Sequence, residues 1–178
     1  KSGMRFSNGD PLRAQDIRQC WLRAAFLMKS HGSESGIFEH LLGAEKLDSP
    51  SADIAGLTAT DTQIILKFNR PLKNFLELIS FGLYGVAHPS DYDHTTGKWR
   101  DAHRIISSGP YTVEKFDDAG VVLQLRPDAR EHFVIAENPI LKVRTTSDIE
   151  EDADLYMTGS DLGINDPEFD FFGPVVSY

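Results

Sequence analysis

Two groups of side chains in this sequence have types and spacing that suggest chemistry. His88, Asp91, Asp93 and His94 fall within seven residues of one polar stretch. Two imidazoles and a carboxylate brought to one point would suit a zinc or nickel ion. The stretch lacks the fixed i, i+4 spacing that sets two ligands on one helical face, so a solvated surface loop is the preferred reading. Asp161, Asn165 and Asp166, with Gly159 and Gly163, imitate part of a calcium loop but not its twelve-residue pattern with a closing Glu, and read as an acidic loop. Cys20 is the single cysteine. It excludes an internal disulfide and a Cys-rich zinc site, and its place beside Trp21 on an apolar stripe marks a buried small hydrophobe rather than a nucleophile. A glycine-rich phosphate loop, a Gly-x-Ser-x-Gly elbow and a His-Glu-x-x-His pair are all absent from the sequence. No metal or other cofactor is expected.

Those residues need elements to hold them. Ile17, Cys20, Trp21, Ala24 and Met28 recur at three- and four-residue steps, predicting an amphipathic helix over 14–29, entered through the turn cluster 7–11. Ile37, Phe38, Leu41 and Leu42 predict a short second helix at 37–43. Alternation over 62–68 places Ile64, Leu66 and Phe68 on one face of a strand. Pro71 suits the first position of a helix presenting Leu72, Phe75, Leu76 and Ile79 on one side. Residues 88–100 read as a polar surface excursion. Two alternating runs, 111–116 and 121–126, flank Asp117-Asp118-Ala119-Gly120 and predict a hairpin with a four-residue loop. A further strand is expected at 140–145, and another at 154–157. The order is mixed α and β rather than a regular βαβα series, which predicts an α+β or two-lobed α/β domain.

The chain has 178 residues, 40% of them apolar and 25% charged, enough for a sizeable core. No apolar run approaches the ~20 residues a membrane span needs. The opening residues carry no signal-peptide pattern, and a chain that starts at Lys1 suggests a processed or excised product. Of the −9 net charge, all is contributed by residues 148–178, which hold nine acids and no Lys or Arg. An acidic chain without a basic stripe is a poor partner for nucleic acid or an anionic membrane surface.

Three stretches together resemble the solute-binding proteins of peptide and oligopeptide ABC transporters, extracellular solute-binding protein family 5. They are Phe6-Ser-Asn-Gly-Asp-Pro-Leu-Arg-Ala-Gln-Asp-Ile17, then Leu57–Pro71 with the Phe75–Ile79 segment, and Ser108-Gly-Pro-Tyr-Thr-Val113 followed by the 121–126 strand. In the family these are a turn into a helix, a strand ending in a Pro and a phenylalanine-bearing helix, and a Gly-Pro-Tyr strand that opens a hairpin. A fourth stretch, Asp154–Phe169, is similar to a segment that the family carries much later, on the ligand-facing side. On that alignment most of a lobe is missing between Arg144 and Asp154, as are the first strands before Phe6. The alternative alignment makes 140–157 the family's strand before its usual Gly-Glu-Val-Asp segment. Asn165-Asp166-Pro167 with Phe169 favours the first.

The resemblance implies one lobe of a two-lobed periplasmic-binding-protein-like fold, a mixed sheet with flanking helices and a central hairpin. Residues 1–105 would form a helix-rich subdomain, 106–147 the sheet of the ligand-binding lobe, and 148–178 an acidic returning segment. It implies a non-enzymatic component of an importer, with a peptide or similar solute and membrane permease subunits as partners, and no nucleic acid. The implied location is periplasmic or extracellular, with membrane anchoring possible in the parent protein. Ligand contacts would fall at Phe38, Phe81, Tyr84, Ser160 and Asp161. Three departures bear on this: Arg13 stands where the family has a helix-capping Thr, and in the late motif Ser160 replaces a Trp while Gly163 replaces the Asp that pairs with a peptide amine. A buried amine without that carboxylate is costly. The competing readings are a solute-sensing domain of a transcriptional regulator, a metal-assisted hydrolase using His88, Asp91 and His94, and a lobe that serves only as an interaction domain.

Overall fold

The computed structural model describes residues 3–32, 36–80, 82–117, 120–133 and 140–143. The expected strand at 154–157, the fourth family-like stretch and the acidic segment 148–178 lie outside them.

Helix α1, Ala14–Ser30, follows the predicted stripe. The turn before it closes through Gly9 N–H to Phe6 O (2.9 Å) and Phe6 N–H to Asp10 O (2.9 Å), with Gly9 at φ +90°, where glycine carries no Cβ penalty. Arg13 offers no side-chain acceptor to the helix start. The Asp16 carboxylate supplies the reverse half of a cap, accepting the Arg13 N–H at 2.8 Å.

The predicted helix at 37–43 is a single 3-10 turn, Phe38–His40. It ends at Leu41, whose backbone is extended (ψ 139°), and Gly43, at φ +88°, leads into a second 3-10 turn, Ala44–Lys46. Alternation predicts one strand over 62–68, whereas the chain forms a two-stranded antiparallel sheet, β1 (Leu57–Ala59) with β2 (Ile64–Leu66), Leu57 facing Leu66. A three-residue strand is too short for a period of two to register. The ladder continues past β1: Lys67 N–H donates to Gly56 O and Leu42 N–H to Lys67 O, both at 2.9 Å. A Cβ on Gly56 would collide with the backbone of Leu41 and Leu42, so only glycine allows that approach.

Helix α2 is one turn, Phe75–Leu78, and does not begin at Pro71. The Phe75 ring meets Phe68 at 5.7 Å between centroids and pins the chain there. Leu76, predicted on the apolar side, is 76% exposed; the side chains of this stretch that pack against the core are Leu72, Phe75, Leu78 and Ile79. The hydrophobic core lies between α1 and this small sheet, around Leu22, Ile37, Phe38, Leu41 and Leu57, each 1% exposed or less.

The hairpin forms as predicted: β3 (Tyr111–Asp117) pairs antiparallel with β4 (Gly120–Leu125), and Tyr111 and Leu123 are buried. Pairing reaches Asp117 opposite Gly120, so the strands extend into what the sequence marked as loop. After the one-turn helix α3 (Ala129–His132), strand β5 (Ile140–Val143) pairs antiparallel with β4, giving the order β3-β4-β5.

Residues 88–100 are not simply a surface excursion. Asp91 is 7% and Tyr92 1% exposed, and isolated bridges pair Ala87 with Ser107 and Tyr92 with Trp99. The stretch is polar in composition, but Tyr92 and Trp99 turn inward to cover the Arg23 guanidinium.

Candidate functional site

Against α1, the connection from Ile79 to Ala87 and the segment leading into β3 line a half-open cavity of about 260 Å³. From the helix come Cys20, Arg23 and Ala24; Trp99 closes one side; residues 107–110, the start of the Gly-Pro-Tyr motif, close another. Helical spacing alone places Cys20, Arg23 and Ala24 on one side of α1, three and four residues apart.

Arg23 is 1% exposed. Its guanidinium carbon lies 4.0 Å from the Trp99 ring centroid and 5.0 Å from that of Tyr92, and Nε donates to Gly97 O. Aromatic faces compensate part of the cost of burying this charge. Arg23 and Trp99 are the features that the apolar pattern does not reveal; the signal was a lone arginine inside Leu22-Arg23-Ala24-Ala25, where the helix is otherwise buried.

Cys20 packs as expected: it is 4% exposed, Sγ accepts the Ala87 N–H at 3.4 Å, and burial pushes its thiol above the ordinary range, outweighing the lowering from the Ala87 N–H and from Arg23. A thiol so placed is a poor nucleophile. We expect thiol-reagent labelling of the native chain to be at least about tenfold slower than in denaturant; equal rates would show the packing to be wrong.

Of the residues marked from the sequence, Tyr84 lines the cavity, its hydroxyl accepting the Ile37 N–H at 3.1 Å. Phe38 does not line it. At 1% exposure it is a core side chain, with its ring 5.1 Å from that of Tyr84, and so acts by backing the wall rather than forming it. Phe81, Ser160 and Asp161 lie outside the described residues.

The His/carboxylate group is dispersed. His88 Nε2 lies 3.2 Å from Asp10, and its Nδ1 accepts the Ser90 N–H. Asp91 accepts the Ile106 N–H at 2.7 Å, and burial raises its carboxyl despite that bond and the nearby His88. Asp93 caps the Thr95 and Thr96 N–H groups, which hold its carboxyl below the ordinary range, and the His94 ring rests against Tyr92 at 5.1 Å. Among the described residues no three His, Cys, Asp or Glu side chains converge on a common point.

The first and third family-like stretches meet in space. Ser7 N–H donates to Ser107 O (2.8 Å) and Ser107 N–H to Ser7 Oγ (3.0 Å). Arg126, 5% exposed, donates to Arg5 O, Phe6 O and Gly109 O while pairing with Asp128. A model of bacterial extracellular solute-binding proteins, family 5 (middle), matches residues 1–142. The chain belongs to this family.

Several solved structures share the fold. OppA of Burkholderia pseudomallei is 24% identical with a TM-score of 0.59 over 73% of this chain and 27% of its own. A periplasmic oligopeptide-binding protein of Borrelia burgdorferi is 21% identical, TM-score 0.57, over 71% and 26%. The periplasmic murein tripeptide-binding protein MppA is 18% identical, TM-score 0.56, over 74% and 26%. This family 5 chain therefore spans about a quarter of the length of each, and its mixed α and β architecture is part of their fold. No curated protein sequence matches it.

Proposed function

We propose that this family 5 chain is part of the solute-capturing component of an ABC-type importer for peptides or similar solutes, a non-enzymatic role exercised outside the cytoplasmic membrane together with permease subunits. The family match over 1–142 carries the reading. The oligopeptide-binding names of the structural neighbours supply the solute class. In this reading residues 1–105 form the helix-rich part of one lobe, 106–147 its sheet and 148–178 a returning segment, with Tyr84 and the cavity beside it on the solute side and Phe81, Ser160 and Asp161 as further contacts.

Solutes in two-lobed binding proteins are held by closure, with polar contacts from both sides. A chain matching a quarter of its neighbours offers part of that surface, and Gly163 lacks a carboxylate for a peptide amine. Set against ~4–15 kcal/mol of association cost, we expect peptide dissociation constants weaker than ~1 mM, about −4 kcal/mol of binding free energy. Calorimetry with di- to pentapeptides checks the affinity, and micromolar binding would contradict it. The function itself is tested by NMR titration at millimolar peptide: amide shifts should concentrate at residues 82–87 and 105–110 and be absent with hexoses or nucleotides. Equal response to a sugar, or shifts confined elsewhere, would remove the peptide-binding reading.

A further inference from the structure

Several backbone carbonyls in the wall of the cavity beside α1 already accept hydrogen bonds from within the chain. Trp21 Nε1–H donates to Tyr84 O at 2.9 Å, the Cys20 thiol to Gly85 O at 3.6 Å, and Ser108 Oγ to Val86 O at 2.6 Å. On the opposite wall Ser7 N–H holds Ser107 O, Arg126 holds Gly109 O through its side chain and Pro110 O through its N–H, and the Ser107 hydroxyl donates to Tyr111 O. Among the described residues that line it, the one formally charged side chain, Arg23, is directed to Gly97 O and to two ring faces. What the cavity presents to an occupant is therefore mainly carbon: Ala24, Ile79, Leu83, Val86, Ile105 and the Trp99 ring.

An extended peptide backbone needs donors and acceptors along its length, whereas the side chains this wall presents are largely apolar. An ammonium group would enter beside Arg23 with no carboxylate among the lining residues. We propose that the cavity is a site for a neutral apolar group of ring or branched-chain size, contributed by the solute, and that it discriminates against a cationic one. The volume fits: 260 Å³ exceeds the roughly 150 Å³ that suffices for an apolar protein cavity to take up benzene. This deepens the solute-binding reading and rests on it only for the origin of the group.

Fluorine NMR of fluorobenzene with the full chain tests the site directly. Fluorobenzene should bind at least tenfold more tightly than para-fluorobenzylamine, with proton Overhauser contacts to the Trp99 indole and the Val86 and Ile105 methyls. Gly109 lines the cavity, has no positive φ, and a Cβ there meets nothing within 4 Å, so Gly109→Leu should keep the fold and lose binding at least tenfold. Ala24→Leu adds bulk from the helix side at a position only 3% exposed; it should also lose binding, and its α1 amide spectrum shows whether the fold is kept. No fluorobenzene binding, equal binding of the amine, Overhauser contacts elsewhere, or full binding in both filled variants would each overturn the inference. A tripeptide containing para-fluorophenylalanine separates the two readings. Fluorobenzene bound at these contacts with no response to the tripeptide keeps the cavity site and removes the peptide reading; tripeptide shifts with no fluorobenzene binding do the reverse.

Discussion

Trp21→Ala is expected to destabilise the chain by about 3–5 kcal/mol, the range for removing a large buried aromatic. Trp21 is 9% exposed, and its ring packs at 6.2 Å from Phe38 and 6.0 Å from Tyr84, the three forming the centre of the core under α1. Its indole N–H also satisfies Tyr84 O, so alanine leaves both a void and a buried carbonyl without its donor. In a chain of this size the loss corresponds to a fall in melting temperature on the order of 10 °C. Trp21→Phe keeps most of the ring and loses the hydrogen bond, and should cost about 1–3 kcal/mol. Urea denaturation of the two variants separates packing from hydrogen bonding; a loss below about 1 kcal/mol for Trp21→Ala would mean that the helix is not seated on this core.

Arg126→Ala should cost a comparable amount, about 3–5 kcal/mol, for a different reason. The guanidinium is buried and serves three carbonyls from two distant segments: Arg5 O and Phe6 O in the opening turn, and Gly109 O before β3. Removing it leaves the part-buried Arg5 O and Gly109 O without this donor, takes one of two donors from the buried Phe6 O, and leaves the Asp128 carboxylate without its partner. Arg126→Lys restores the charge but not the planar fork, so rescue should be partial at most. Hydrogen exchange should localise the damage: the Ser7 N–H and Ser107 N–H bonds lose protection, while the amides of α1 keep theirs. Uniform loss of protection, or a stability within about 0.5 kcal/mol of the original, would refute the role given to Arg126.

The sequence by itself determined the elements whose signal is local. The three- and four-residue stripe from Ile17 to Met28 forms α1 within a residue or two of its expected ends, and the alternating runs around Gly120 form the β3–β4 hairpin, because period and turn chemistry are properties of neighbouring residues. The burial of Cys20 and Trp21 was legible for the same reason. Family membership was legible too, through stretches that each carry a local turn or strand.

What only the tertiary structure decided involves partners far apart in the chain. β1 is a strand because it pairs with β2 and Gly56 fits against Leu41 and Leu42, not because three residues prefer extension. Residues 88–100 are polar by composition, yet Tyr92 and Trp99 are drawn inward by an arginine about 70 positions earlier, whose charge their ring faces help to compensate. Phe38 looked like a contact residue and is a core residue, since its exposure depends on what Trp21 and Tyr84 bring over it. The cavity exists only where α1, the 79–87 connection and the Gly-Pro-Tyr segment meet, and it is largely apolar because the side chains these distant segments bring together there are mostly carbon, with several wall carbonyls hydrogen-bonded within the chain.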